Sequence, residues 1–170
     1  MASNMPGFIL RNCTAWVDRI SKLGQIGDVT LPVPQAKVEE MRNAGMVMPI
    51  EVSLGYEKLE AGIKMPGLDP QVLKLFGLAP GIETPLMITG ATVDEDGTTH
   101  SAVANLRGFI KQADPGNWKP GEMAENDYQF SVRYYKLEID GNPIFEMDAF
   151  DVKIGGVSQN AGIRNAMLLE

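Results

Sequence analysis

The sequence predicts a mainly β protein: an antiparallel β-sandwich or barrel with one flanking short α-helix and a possible short C-terminal helix. Three observations lead there. Apolar residues recur with period two over several runs, which is the pattern of strands with one buried face. Glycine (18) and proline (11) are spread between those runs, as a chain with many turns requires. Apolar residues at helical spacing occur only in short stretches.

Early strands are expected from Thr14 to Asp18 and near Val29 to Val33. Between Gln35 and Met48 the pattern is ambiguous. Val38 and Met41 suit a helix, whereas Gly45 and Pro49 argue for an ordered loop, so the segment reads as a long functional loop with a strand leading in. Ile50, Val52, Leu54 and Tyr56 then alternate with Glu51, Ser53 and Gly55, and Leu59, Ala61, Ile63 and Met65 alternate with Glu60, Gly62 and Lys64. These two runs are expected to pair as a hairpin around Glu57-Lys58.

Asp69 can cap a helix, Pro70 suits its first position, and Val72, Leu73 and Phe76 give it an apolar face before Gly77 stops it. That predicts two turns lying on a sheet. Leu86 to Val93 and Thr99 to Lys111 form a second expected hairpin across Asp94-Glu95-Asp96-Gly97. Tyr128 to Ile139 is the longest strand signal. Its apolar set changes parity from Tyr128, Phe130, Val132 and Tyr134 to Tyr135, Leu137 and Ile139, so either a bulge lies near Tyr134-Tyr135 or both faces are buried there. Asp140-Gly141-Asn142 turns the chain into Ile144 to Met147, and Ile163, Ala166 and Met167 suggest a short helix within Gln159 to Leu168.

At 170 residues the chain is expected to be one domain, 1–170. Its 44% hydrophobic and 22% charged residues are ordinary globular values. Lone Cys13 excludes a disulfide framework within the chain and suits a reducing compartment. A formal net charge of −7, with no basic run, argues against nucleic-acid binding through the overall field. Met1 to Arg11 lacks the charged front and apolar length of a signal peptide, and no stretch is long and apolar enough for a membrane anchor.

Catalytic and metal signals are weak. His100 and Cys13 are the only imidazole and thiol, so no Cys/His ligand set exists, and no catalytic, cofactor-binding or metal residues are assigned. His100 reads as a strand residue at a hairpin base. Asp94-Glu95-Asp96-Gly97 lacks the remaining ligands of a calcium loop and reads as an acidic turn. Glu39-Glu40, and Asp148 near Asp151, are acids of the kind normally solvated on loops. Met41, Met46 and Met48 cluster in the ambiguous segment, where adaptable side chains serve either an interface or gap-filling in the core.

One long, ordered stretch is more specific. It comprises Leu106-Arg107-Gly108 through Lys111, Asp114-Pro115-Gly116-Asn117-Trp118-Lys119-Pro120-Gly121-Glu122, and Tyr128 through Arg133-Tyr134-Tyr135-Lys136-Leu137-Glu138-Ile139-Asp140-Gly141. It resembles the major tail tube protein family of contractile phage tails, which includes the tube of tail-like bacteriocins. Leu31-Pro32, Glu39-Glu40, Arg42, Ala44-Gly45-Met46, Pro49, Glu51-Val52 and Leu75-Phe76-Gly77-Leu78 extend the resemblance over nearly the whole chain.

The resemblance implies a structural subunit rather than an enzyme. Hexameric rings would stack into a tube inside a contractile sheath, between a baseplate initiator and a tail terminator, with a tape-measure protein setting length. The protein would be assembled in the host bacterial cytoplasm and reside in the virion tail, where DNA passes without specific binding. Strands of six subunits would join in one inner barrel. If each gives four, roughly 24 strands at about 4.8 Å spacing and about 45° tilt leave a lumen about 40 Å wide.

On that basis Glu51, Ser53, Glu60 and Lys64 would face the lumen if their hairpin lines the barrel, and Gln129, Ser131 and Arg133 are the equivalent positions of the later strand. Arg133 would better pair with an acid of a neighbouring subunit. Met41, Met46, Met48 and Trp118 are candidate subunit contacts, Trp118 being either an interface anchor or a core plug. The 35–49 loop and the 1–11 arm are candidates for ring-to-ring contact. The alternatives are a DNA-free bacteriocin-like tube or a monomeric β-sandwich ligand-binding module, which would need a concave apolar pocket. An enzyme ranks below these, supported only by generic acids.

Overall fold

The computed structural model describes residues 5–77 and 79–169. Residues 1–4 of the N-terminal arm, and Leu78 at the end of the matched helix segment, lie outside them. In chain order the elements are β1 (Ile9–Val17), β2 (Ile20–Ser21), β3 (Asp28–Thr30), β4 (Ala36–Met41), β5 (Ile50–Tyr56), β6 (Leu59–Pro66) and α1 (Pro70–Leu73). There follow β7 (Thr84–Val93), β8 (Thr99–Asp114), β9 (Glu125–Ile139), β10 (Asn142–Met147), β11 (Val152–Ile154), β12 (Val157–Ser158) and α2 (Ala161–Ala166). The fold class is as predicted: mainly β and antiparallel, with two short helices.

The long β8–β9 pair organises the molecule. β7 joins β8 across the expected Asp94 to Thr98 turn, where the Gly97 N–H donates to the Asp94 carbonyl and Gly97 takes φ +92°. Beyond β7 the sheet continues to β1 and β2. The other edge of β9 is shared by two strands in succession. β6 pairs with it from Glu125 to Val132, and β10 from Tyr135 to Ile139.

The change of partner falls at a bulge. Arg107 opposes Tyr134 and Gly108 opposes Val132, which leaves Arg133 as the extra residue of β9. Asn126, Tyr128, Phe130 and Val132 are buried before it and Tyr135 after it. The parity change in the sequence is therefore a bulge that keeps both halves of β9 facing one core, centred just before the predicted site. Opposite it, a Cβ on Gly108 would lie 1.9 Å from the Ser131 carbonyl oxygen, so only glycine allows this approach.

Both halves contribute to a single hydrophobic cluster. Ala15, Val17, Leu86, Ile88, Leu106 and Tyr135 meet Ala61, Ile63, Met65, Ile110, Tyr128 and Phe130 in it. α1 adds Val72 and is capped as expected, the Gln71 N–H donating to Asp69 Oδ1 at 3.0 Å. It is one turn rather than two, continued only by tighter turns through Leu75 and Phe76, and Phe76 stays exposed. Buried Lys22 reaches Asp69 at 2.7 Å and Gln71 Oε1 at 3.0 Å. Burial alone would raise the Asp69 carboxyl, but Lys22 and the Gln71 N–H hold it below its ordinary value.

Two expectations are corrected. β5 and β6 do not pair. β6 lies between β9 and β3, where Leu59, Ala61, Ile63 and Met65 are buried, while β5 pairs with β4 in a separate two-stranded sheet. The 35–49 segment is thus not one long loop, since its first part is strand β4. Leu54 is the extra residue of a bulge beside Gly55 at φ +140°, and it moves Tyr56 to the face opposite Ile50 and Val52. The apolar parity of β5 consequently does not sit in the core, and Ile50, Leu54 and Tyr56 are exposed.

Candidate assembly surfaces

The β4–β5 hairpin presents an unpartnered surface. Among the described residues its strands pair only with each other, and Val38, Met41, Val47, Met48, Ile50, Leu54 and Tyr56 are all exposed, Val47 to 92%. An isolated two-stranded hairpin is marginal in water, so such an apolar surface calls for a cover. One face also sets Glu40 directly across from Glu51, a like-charged cross-strand pair that is unfavourable until a cation meets it.

Met41 and Met48 are exposed here, not filling a core. Met46 is half-buried at the tip, where its sulfur accepts from the Asn43 N–H and its carbonyl accepts from Arg42 Nε.

A second surface is the polar side of β6 and β9. Glu60 opposes Ser131 and Gly62 opposes Gln129, which brings Glu60, Lys64, Gln129 and Ser131 onto one face. Lys111 and Lys58 both contact Glu60, and in that order they hold its carboxyl below the ordinary range. Gln129 donates to Asp127 at 2.9 Å. Arg133 is separate, projecting from the bulge towards Glu83 at 3.7 Å and over the Phe109 ring. Glu51 and Ser53 lie on the other sheet, so the seven candidate lumen residues do not share one surface.

Trp118 is 70% exposed in the loop between β8 and β9, where its Nε1–H donates to the Pro115 carbonyl at 3.1 Å. The core-plug alternative is thereby removed. Near the bulge, a cleft of about 1060 Å³ opens between the base of the hairpin and the β10–β11 turn, lined by Tyr56, Lys58, Arg107, Arg133, Tyr134 and Phe150 among others. Phe150 is 82% exposed at the rim. The Asp148 carboxylate shapes that turn by accepting from the Phe150 and Asp151 N–H groups at 2.7 and 2.8 Å. Phe150, a single apolar residue in a turn, and Val47, at the hairpin tip between Met46 and Met48, carry no periodic signal in the sequence.

The open edge of β1 completes the inventory. β2 pairs with Trp16 and Val17, and the Lys22 N–H donates to the Ala15 carbonyl, so among the described residues the outer edge of β1 has no strand beside it from Ile9 to Thr14. Among the described residues no cluster of three or more His, Cys, Asp or Glu side chains is placed to hold a metal ion, and no helix is long and apolar enough to cross a membrane.

The phage tail tube protein FII family matches residues 8–167. The chain is 30% identical over 141 residues to the major tail tube protein of Serratia phage KSP20, covering 82% of this chain and 81% of that one. It is 28% identical over 156 residues to the tail tube protein of Escherichia phage P2, covering 88% and 91%. Its fold is similar, at 8% identity and a TM-score of 0.59 over 80% of this chain and 99% of the other, to a chain of an extracellular contractile injection system solved as the sheath/tube terminator in the extended state. With almost its whole length matched, the chain belongs to the phage tail tube protein family and is a structural component of the virion tail.

Proposed function

We propose that this chain forms the inner tube of a contractile phage tail as stacked hexameric rings, through which DNA is delivered. The observation that carries this reading is the β4–β5 hairpin. It exposes apolar residues on a sheet that no other described part of the chain pairs with, and a second copy supplies the cover. The open β1 edge points the same way, because closure around a ring removes strand edges that a monomer leaves exposed.

Within that tube, Glu60, Lys64, Gln129 and Ser131 form the lumen face. Their mixed charges, with Lys111 neutralised on Glu60, present neither a cationic groove nor an apolar wall to passing phosphates. Arg133 pairs across a subunit boundary rather than with Glu83 alone. The lumen assignment of Glu51 and Ser53 depended on a β5–β6 hairpin; on β5 paired with β4 they join Met41, Met46 and Met48 in ring-to-ring contact. Trp118 is an anchor on a subunit interface. The sheath packs outside, and the baseplate, terminator and tape-measure proteins set the ends and the length.

Negative-stain electron microscopy of the purified chain over a concentration series, with and without a baseplate seed, tests the reading. Six-fold rings or hollow tubes are expected. Dispersed monomers under every condition would overturn it.

A further inference from the structure

The single histidine of the chain sits at one end of the sandwich, where two hairpin turns and the N-terminal arm converge. His100 Nε2 lies 2.9 Å from Asp94 Oδ2, on the β7–β8 turn, and His100 Nδ1 lies 2.6 Å from Asp140 Oδ2, on the β9–β10 turn. The second oxygen of each carboxylate is also engaged. Asp94 Oδ1 accepts from the Phe8 N–H at 2.7 Å, and Asp140 Oδ1 accepts from the Ser101 N–H at 3.0 Å. The Phe8 ring stacks on the imidazole with centroids 4.3 Å apart, and the Glu95 N–H donates to the Pro6 carbonyl at 3.3 Å.

A carboxylate can only accept, and a neutral imidazole has one N–H to give. Both ring nitrogens can donate to both carboxylates only when the ring is an imidazolium. We infer that His100 is a proton-operated latch that straps the N-terminal arm across the β7–β8 turn through Asp94 and releases it when the ring becomes neutral.

Two features make the arm ready to leave. Phe8 is held at φ +54°, a left-handed conformation unusual for a bulky residue, so it persists only while the surrounding bonds impose it. Gly7 passes so close that a Cβ there would lie 2.9 Å from Asp94 Oδ1, which ties the path of the arm to the position of that carboxylate. When the imidazole loses its proton, one carboxylate loses its donor, and Asp94, Asp96 and Asp140 are left as uncompensated like charges. Among the described residues, the arm contributes the uncharged Phe8 ring and β7 contributes the uncharged Thr92 as the cross-strand partner of His100.

The direction of titration agrees. Asp94 first, then Asp140, raise His100 above the ordinary 6.5. The contribution of the latch is therefore complete below 6.5 and disappears as pH rises through the higher folded value. Asp94 is lowered chiefly by His100, and Asp140 by the Ser101 N–H and then His100, from an ordinary 3.8. Their contribution is present above 3.8 and is lost as pH falls through those lowered values, so the arm is docked within a pH window.

The test uses the unassembled wild-type chain and does not depend on the tube reading. With one histidine, the imidazole resonances report His100 directly by NMR. The expected result is a midpoint above 6.5, with the nuclear Overhauser contact between the Phe8 and His100 rings fading at that same midpoint. Asp140→Asn should lower the midpoint yet leave the arm docked below it, whereas Asp94→Asn should lower the midpoint and loosen the arm several-fold at neutral pH. Ring contacts that persist unchanged after His100 has lost its proton, or a midpoint at or below 6.5, would overturn the latch.

Discussion

The β6–β9 pair and the β4–β5 hairpin begin from the same kind of sequence and reach opposite ends. Both alternate apolar and polar residues, and both are antiparallel. In the first, Leu59, Ala61, Ile63 and Met65 are buried with Tyr128 and Phe130. In the second, Ile50, Leu54 and Tyr56 remain exposed. Alternation fixes which side chains share a face but does not name the surface that covers them. For β6 the cover is inside the chain; for β5 the proposed tube would supply it from another copy. Mutations in the two regions should therefore separate the folding of the subunit from its assembly.

The largest effect is expected at Phe130. Its side chain is buried in the cluster joining the two halves of the sandwich, and truncation to alanine removes contacts that little can move in to replace. A loss of about 3–5 kcal/mol is expected for Phe130→Ala, measured by urea unfolding of the unassembled chain. A cost below about 1 kcal/mol would show that the core is less closely packed than its burial indicates.

Asp69→Ala should come next, because the region it fastens depends on one buried clip. Removing the carboxylate takes away the α1 cap and leaves Lys22 buried without its partner, together costing about 3 kcal/mol. The pH dependence supplies a second readout. Asp69 is held below its ordinary 3.8 by Lys22 and the Gln71 N–H against the opposing effect of burial, so its contribution is present above 3.8 and lost as pH falls through the lowered value. Acid unfolding curves of wild type and Asp69→Ala should converge in that range. Curves separated by the same amount down to low pH would mean that the ionised form of Asp69 contributes nothing beyond the neutral one.

The limits of sequence reading follow from the same contrast. The hairpin from β7 to β8, the start of α1 and the parity change in β9 were legible, because each is written in adjacent residues: Asp-Gly at a turn, Asp-Pro at a helix start, two apolar sets of opposite parity. The partner of β5 was not. Glu57-Lys58 joins two alternating runs closely enough to suggest a hairpin, but the Leu54 bulge breaks the register and β4 takes the pairing edge. Glu60, Lys64, Gln129 and Ser131 share the polar parity of their strands in the sequence, and the β6–β9 register sets them on one face. Exposure of Trp118 was undecidable from sequence, since the glycines and prolines around it fix a loop path without saying whether the ring points inward. The contact between Phe8 and His100 joins residues far apart in sequence, and no spacing rule could have announced it.

The smallest effect on the isolated subunit should accompany the clearest effect on assembly. Met48 and Leu54 are exposed on a hairpin whose strands pair with nothing else, so replacing each by serine removes almost no buried contact from the monomer. The stability of Met48→Ser and Leu54→Ser should stay within about 0.5 kcal/mol of wild type by urea unfolding. If a second copy covers this hairpin, each side chain is buried on assembly, and losing it weakens every contact of that kind along a tube by about 1–3 kcal/mol. The critical concentration for rings or tubes, followed by sedimentation, should then rise at least about fivefold while the monomer melts as before. Unchanged assembly would move the ring contact elsewhere, to the β1 edge or the Phe150 rim, and loss of the folded monomer would mean that the hairpin belongs to the core after all.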